Sequence, residues 1–441
     1  MTKDIEIKVP TADSQIWSIT KDYYINIGTK AWSKGHVPQG TTSNCYIAGV
    51  YASIITEFIR DQQKNGIDKP VLILEIGGGN GRLALRILNS MYIENFPLLE
   101  KPPKFKYLLT DAATKNVETW QKIKKFDKFV EWGVLDFGEL LVGKDFSINC
   151  VHAGLMDEQS IKDTPIIIVS NYLFCTIPSD LVRVEKGKIY EQLITLTEEF
   201  ANTDEKRAFR QLKYKVEDGL EKDTVSEHPL VQKVFENYRK EVTNALIPFS
   251  MSGVWFLDFF LKRDNPVLLL YGDLGFTAPN QFRQKAPFIF DKGYFACRTN
   301  LHLIGEQFKE YGGKAVFGRS EDSHFQVAAF YRKGKNHGNL THTAICAKML
   351  MRDYAPFDVY CTLKMTEKKS SSVKAREIFG LIRLSKYDPA IADNCFASLE
   401  RIIMEKKRLN IKELFEVFSR VAENIYPNDR SRAYLDIKIA L

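Results

Sequence analysis

Apolar residues recur along the first half of the chain in two registers. Four short runs are apolar almost throughout: VLILEI (Val71 to Ile76), FKYLLT (Phe105 to Thr110), FVEWGVL (Phe129 to Leu135) and PIIIVS (Pro165 to Ser170). Runs of this length and character read as strands buried on both faces. Between and before them the spacing becomes helical. Tyr46 to Gln63 places Ile54, Ile55, Phe58 and Ile59 on one face, and Arg82 to Met91 and Ala113 to Lys124 follow the first two strands. Strands alternating with helices predict an α/β fold around a mostly parallel sheet. Such sheets take their ligands at the carboxyl ends of the strands.

After Ser179 the alternation stops. The charged stretch from Ile194 to Ala245 predicts a helical insertion at about 180–262, with helices over Glu198 to Lys215 and Leu230 to Leu246. Strands return at PVLLLY (Pro266 to Tyr271), Ala315 to Gly318 and FQVAAFY (Phe325 to Tyr331). The last two are too close for a crossover helix, so they pair antiparallel. Beyond His337 the pattern is helical over Thr341 to Met351, Ser372 to Leu384, Ala390 to Glu405 and Ile411 to Ile425, with KMTEKKSSSVK as a linker. The expected organisation is an N-terminal helical, cofactor-covering segment (1–63), a core with its insertion (64–335) and a C-terminal helical extension (336–441).

Composition narrows the class. With 44% apolar and 27% charged residues the chain is of globular type. A net charge of +7 over 441 residues, without a dense basic block, does not call for nucleic acid. The seven cysteines are dispersed without a CxxC pair. Buried thiols in a reducing compartment are expected, rather than disulfides or a metal site. The first residues lack an apolar core of the signal-peptide kind, and no apolar run is long enough to span a bilayer. The expectation is a cytoplasmic protein with no membrane and no nucleic-acid partner.

The chemistry concentrates in VLILEIGGGNGR, Val71 to Arg82, where glycines follow a strand and precede a helix. A phosphate loop needs GxxxxGK[ST], and Arg82 stands where its second glycine belongs. A dinucleotide fingerprint needs GxGxxG, and Arg82 stands at its third glycine too. The actual spacing, Glu75-x-Gly77-x-Gly79-x-Gly81, resembles the first motif of class I S-adenosylmethionine-dependent methyltransferases. A nucleoside ligand also needs a carboxylate after the second strand for its ribose hydroxyls. Asp111 stands there, 30 residues beyond Gly81, because the loop NFPLLEKPPK intervenes. The resemblance implies that Asp136, in VLDFG, meets the adenine amino group.

Within that class the layout is similar to the MidA-like family, relatives of a mitochondrial complex I assembly arginine methyltransferase. The similarity covers roughly residues 30 to 332. The family carries a cofactor-covering loop before the glycine motif, and GHVPQGTTSN (Gly35 to Asn44) occupies that place, with His36 where an acid is usual. By resemblance Thr42, Ser43 and Asn44 line the cofactor pocket. In SNYLFCTIPSD, Asn171 and Pro178 match the family while Tyr172 and Thr176 replace its two acids. LLLYGDLGF supplies Asp273, and RTNLHLIGEQF supplies Asn300 and His302. The candidate catalytic set is Asn171, Tyr172, Asp273 and His302. The implied activity is methylation of a protein side-chain nitrogen with S-adenosyl-L-methionine as cofactor. The competing readings are an inactive methyltransferase-like assembly factor, favoured by the replaced acids, and a nucleotide-binding oxidoreductase, disfavoured by the glycine spacing. The insertion and the N-terminal loop are expected to form a lid.

Overall fold

The N-terminal third builds half of one sheet. A strand β1 (Thr2–Pro10) and helix α1 (Gln15–Ile27) precede helix α2 (Cys45–Lys64). Then β2 (Val71–Ile76), α3 (Arg82–Ser90), β3 (Phe105–Asp111), α4 (Thr114–Trp120) and β4 (Leu135–Glu139) alternate, with short strands β5 (Ile148–Cys150) and β6 (Gly154–Met156) and then β7 (Ile166–Asn171). The computed structural model describes residues 2–33, 37, 39–99, 101, 103–199, 212–283, 286–291, 294–318, 325–366, 374–404 and 410–427.

The other half follows an insertion. β8 (Asp180–Glu185), β9 (Lys188–Glu199), β10 (Leu212–Glu221), α5 (Pro229–Glu241) and β11 (Ala245–Phe249) lead to α6 (Met251–Leu261), β12 (Val267–Asp273), α7 (Leu301–Glu310), β13 (Lys314–Phe317) and β14 (Gln326–Arg332). The central sheet runs β13-β14-β12-β7-β2-β3-β4-β5-β6. β2, β3, β4, β7 and β12 are parallel, while β14 is antiparallel to β12 and to β13. This is the expected α/β sheet, mostly parallel with an antiparallel last strand.

The continuous apolar runs have a simple cause. Successive strand residues point to opposite faces, and both faces are covered. Val71 and Ile73 therefore join one core cluster while Leu72, Leu74 and Ile76 join the other. Each such side chain contributes roughly 1.5–3 kcal/mol by leaving water. From β2 the chain steps outward to β3 and β4 on one side, and later to β7 and β12 on the other. The order reverses between β2 and β7, and the crevice at their carboxyl ends is where such a sheet binds ligand.

Three expectations are corrected. FVEWGVL is not a strand: Asp127–Glu131 is helical and Gly133, at φ +68°, ends it. The Gly133 amide donates to the Val130 carbonyl and the Val134 amide to the Phe129 carbonyl, a Schellman stop, so the strand starts only at Leu135. The insertion is not mainly helical: β1-β9-β8-β11, with β10 on β9, form an antiparallel sheet, and α5 is the helix expected from Leu230, ending at Glu241, with α6 following β11. Alternation in IEIKV and LITLTE outweighs the charge content there. The helix expected over Glu198 to Lys215 is instead the ends of β9 and β10, with 200–211 outside the described residues. The N-terminal segment likewise begins with a strand, paired to β9.

The tail is helical as expected: α8 (Thr341–Ala347), α9 (Pro356–Thr366), α10 (Ala375–Leu384), α11 (Pro389–Met404) and α12 (Ile411–Asn424). Most of the expected linker, 367–373, lies outside the described residues. α8 docks on α2 by donating the His342 and Thr343 amides to the Asp61 carboxylate. Among the described residues no helix is long and apolar enough to cross a membrane.

Candidate cofactor site

The glycine loop explains its own spacing. Gly77, Gly79 and Gly81 have φ of +66°, +58° and +79°. That left-handed backbone disfavours any side chain. The loop is tied down on its far side. The Gly78 amide donates to the Thr110 carbonyl at 2.8 Å, the Gly79 amide to Asp111 Oδ2 at 2.8 Å, and Trp120 Nε1 to the Gly79 carbonyl at 3.1 Å. A Cβ on Gly79 would lie 2.4 Å from Cζ2 of Trp32, and one on Gly77 3.0 Å from Leu173. Gly81 caps the start of α3.

A cavity of about 500 Å³ opens above this loop, at the predicted crevice. Its floor is Glu75, Gly77, Gly78, Gly79 and Asn80. Asp111, Ala113 and Asn116 form one side, Leu140 to Val142 another, and Asn171 to Pro178 a third. The N-terminal segment closes it with Trp17, Lys21, Tyr24, Trp32, Thr42 and Ser43. None of the described residues of the 180–262 insertion lines it. The insertion instead braces the N-terminal wall from behind, through β1 on β9 and through the core that joins Trp17 to Leu196 and Phe295. The wall is therefore N-terminal, which corrects half of the expected lid.

Three carboxylic residues line this space, Asp13, Glu75 and Asp111, and the last two stand beside the glycine loop. Glu75 is buried and accepts a hydrogen bond from the Tyr107 hydroxyl. Burial pushes its carboxyl up to about 8, against the lowering effect of Tyr107 and with a further push from Asp111. Asp111 is raised by burial as well, against hydrogen bonds from the Ala113 and Gly79 amides. Oδ1 takes the Ala113 amide at 2.9 Å and Oδ2 the Gly79 amide. The Asn116 side chain and the Ala112 amide also hydrogen-bond this carboxylate.

At the end of β7, Asn171 is held from both sides. Its Oδ1 accepts from Tyr51 at 2.8 Å and its Nδ2 donates to the Thr42 carbonyl at 2.7 Å. Gly272 makes room: a Cβ there would lie 2.7 Å from Asn171 Oδ1 and 2.8 Å from Phe325. Tyr172 adopts φ +55°, costly for a residue with a side chain, and its ring stacks on Phe325 at 5.6 Å. Such outliers gather at functional sites.

Several candidates fall elsewhere. Asp136 is not in the cavity wall. Its strand starts later than expected, so it is the second residue of β4 and its carboxylate is spent on the Phe137, His152 and Ala153 amides and on His152 Nδ1. Asn44 is the N-cap of α2, accepting from the Ile47 amide, and Gly81 turns away from the cavity toward Trp120. Asp273 is fully buried behind the wall, bonded to the Cys175 and Leu274 amides and to Tyr271, and burial pushes it up to about 6. His302 sits on α7 beside Tyr238, 2.8 Å from its hydroxyl, away from the cavity, and burial lowers its imidazole. Gly35 and His36 lie outside the described residues. The cavity thus gathers Glu75, Gly77, Gly79, Asp111, Thr42, Ser43, Asn171 and Tyr172. Sequence reasoning missed the aromatic wall Trp17, Tyr24 and Trp32. The aromatic richness of Ile16 to Ser33 was its visible trace.

Residues 52–254 match the family of S-adenosyl-L-methionine-dependent methyltransferases. The match starts inside α2 and ends inside α6, and it contains the glycine motif, Asp111 and the end of β7. No curated protein sequence matches the chain. Among solved structures, an uncharacterized protein from Burkholderia thailandensis shares 10% identity, with 77% of this chain and 97% of that one covered and a TM-score of 0.44. A second protein from that organism, bound to S-adenosylhomocysteine, shares 10% identity, with 74% and 95% covered and a TM-score of 0.39. Magnesium protoporphyrin IX methyltransferase from Synechocystis, with S-adenosylhomocysteine bound, shares 10% identity over 72% and 99% at a TM-score of 0.33. The assignment rests on the family match and on the sheet and glycine loop described above. The stretch 52–254, a little under half of the chain, is similar to that family, and the sheet and glycine loop around it have the class I S-adenosylmethionine-dependent methyltransferase arrangement, with S-adenosylmethionine as the cofactor this indicates.

Proposed function

We propose that the chain methylates a neutral nitrogen of a protein side chain, with the cofactor held in the cavity at the carboxyl ends of β2, β3 and β7. The observation that carries this is the convergence of bare left-handed backbone at Gly77 and Gly79 with Glu75 and Asp111 around one cavity. The residues suit the cofactor. The Asp111 carboxylate, in the cavity wall at the end of β3, is the acceptor type a ribose diol needs. Glu75 has a neutral partner in Tyr107, so a cationic ligand would supply the missing counter-charge.

When bound, the cofactor supplies a sulfonium methyl, an activated group that needs no catalytic nucleophile. The chain's own work is to orient and to exclude water. Leu140 to Val142, Trp17 and Trp32 give the site largely apolar walls. At the β7 end the lining side chains are Asn171, Tyr172, Leu173, Cys175 and Thr176. All are uncharged, and burial holds the Cys175 thiol protonated. A guanidinium acceptor needs a carboxylate to orient it and take its proton. This end suits a neutral nitrogen, which separates the chain from the arginine-methylating relatives in the MidA-like group. A cavity of this size is that of one ligand. The cofactor would take most of it, leaving room for a narrow group such as a side chain.

The test is transfer from methyl-labelled S-adenosylmethionine into a cell extract. The proposal expects label in precipitated protein, recovered after hydrolysis as an N-methyl amino acid. Label confined to small molecules would reject the protein acceptor.

A further inference from the structure

The C-terminal helices lie outside the residues that match the methyltransferase family, yet they reach the glycine loop. The Tyr426 hydroxyl donates to the carbonyl of Asn80, 346 residues away in sequence. Tyr426 is 1% exposed, so this donor faces no solvent. Its ring lies under the guanidinium of Arg82, 5.8 Å from centroid to Cζ. Its hydroxyl would be 3.1 Å from a Cβ on Gly81. Asn80 lines the cavity, and its carbonyl belongs to the peptide that leads into left-handed Gly81. A donor on that carbonyl fixes the orientation of this peptide plane, which is the last turn of the cofactor-binding loop.

A second tie runs to the opposite wall. Arg86 of α3, 5% exposed, donates to the Ser43 carbonyl at 2.6 Å and to the Asn424 carbonyl at 3.3 Å. Asp388, at the start of α11, accepts from the Cys45 amide at 2.8 Å and faces Arg86 at 3.7 Å. The C-terminal unit therefore grips both the glycine loop and the segment Ser43–Cys45 that closes the cavity above it. The helices have a core of their own around Ile378, Cys395 and Phe418, and Asp388 Oδ1 also caps α11 by accepting from the Ala390 amide at 2.9 Å.

We propose that the C-terminal helical unit is a clamp on the cofactor site, with Tyr426 as a positioning residue that holds the Asn80 carbonyl and so preforms the loop. This rests on the loop being the S-adenosylmethionine site. The clamp sets cofactor affinity, not the chemical step.

The test is calorimetric titration of S-adenosylhomocysteine into the full chain, the Tyr426→Phe variant and the Asp388→Asn variant. Tyr426→Phe keeps the ring over Arg82 and removes one hydrogen bond, so it should bind roughly three- to tenfold more weakly. Amide exchange at Gly78 to Arg82 should accelerate, KM for the cofactor should rise and kcat should stay. Asp388→Asn should weaken binding in the same direction. Unchanged affinity in both variants, with the wild type binding, would overturn the clamp alone. A wild type that does not bind would overturn the cofactor reading and the clamp with it.

Discussion

The amide of Gly79 donates to the carboxylate of Asp111 at 2.8 Å, joining the loop after β2 to the end of β3. The two residues that a nucleoside-binding site requires are thus one unit. The long loop between β2 and β3 is absorbed by an irregular helical turn at Met91–Asn95 and a short one at Phe96–Leu98, so the delayed Asp111 still arrives beside the glycines.

Glu75 predicts a proton-linked affinity. Its folded-state pKa, about 8, lies above the 4.5 of the free carboxyl, so its contribution to stability is fully present below 4.5 and lost as pH rises through about 8. A cationic ligand favours the ionised form. Binding of S-adenosylmethionine near pH 7 should therefore release a proton, and affinity should rise with pH toward 8. Calorimetry in buffers of different ionisation enthalpy measures this. Glu75→Gln should abolish the release, and Tyr107→Phe, by removing a donor to the carboxylate, should move the midpoint upward.

Gly79→Ala should weaken cofactor binding at least tenfold. The left-handed backbone costs about 1–2 kcal/mol for an alanine, and its Cβ would strike Trp32. The double variant Gly79→Ala/Trp32→Ala should recover part of the loss, since the steric part is shared. Equal losses in the single and double variants would show that backbone strain acts alone.

Asp136→Asn should leave cofactor affinity unchanged while lowering stability by about 1–3 kcal/mol. Its Oδ1 accepts from the Phe137 and His152 amides and its Oδ2 from the Ala153 amide, and an asparagine offers one acceptor oxygen in place of the two. Thermal melting with and without S-adenosylhomocysteine reads both quantities.

Tyr51→Phe should destabilise the protein by about 1 kcal/mol, because the hydrogen bond from the buried Tyr51 hydroxyl to Asn171 Oδ1 would be lost. It should also raise KM for the acceptor, since Asn171 stands at the β7 end of the cavity.

What the sequence made legible was local. β2 and its glycines needed only a six-residue run, apolar but for Glu75, and a spacing, and their boundaries matched the structure. Asp136 was misplaced because FVEWGVL has the apolar character of a strand, while a single left-handed glycine at 133 turns it into the end of a helix. The insertion was misread because charged residues on the exposed face of β9 and β10 concealed a period of two. Trp32 over Gly79 and Tyr426 on Asn80 are tertiary contacts, and no local pattern announces them.

The central claim is that the cavity above Gly77 to Gly79 holds S-adenosylmethionine. Its most direct measurement is calorimetric titration of the full chain with S-adenosylmethionine, S-adenosylhomocysteine and NADH. Saturable one-to-one binding of the first two, weakened at least tenfold in Gly79→Ala and absent for NADH, is the predicted result. Binding of NADH alone, or binding of S-adenosylhomocysteine unaffected by Gly79→Ala, would contradict it.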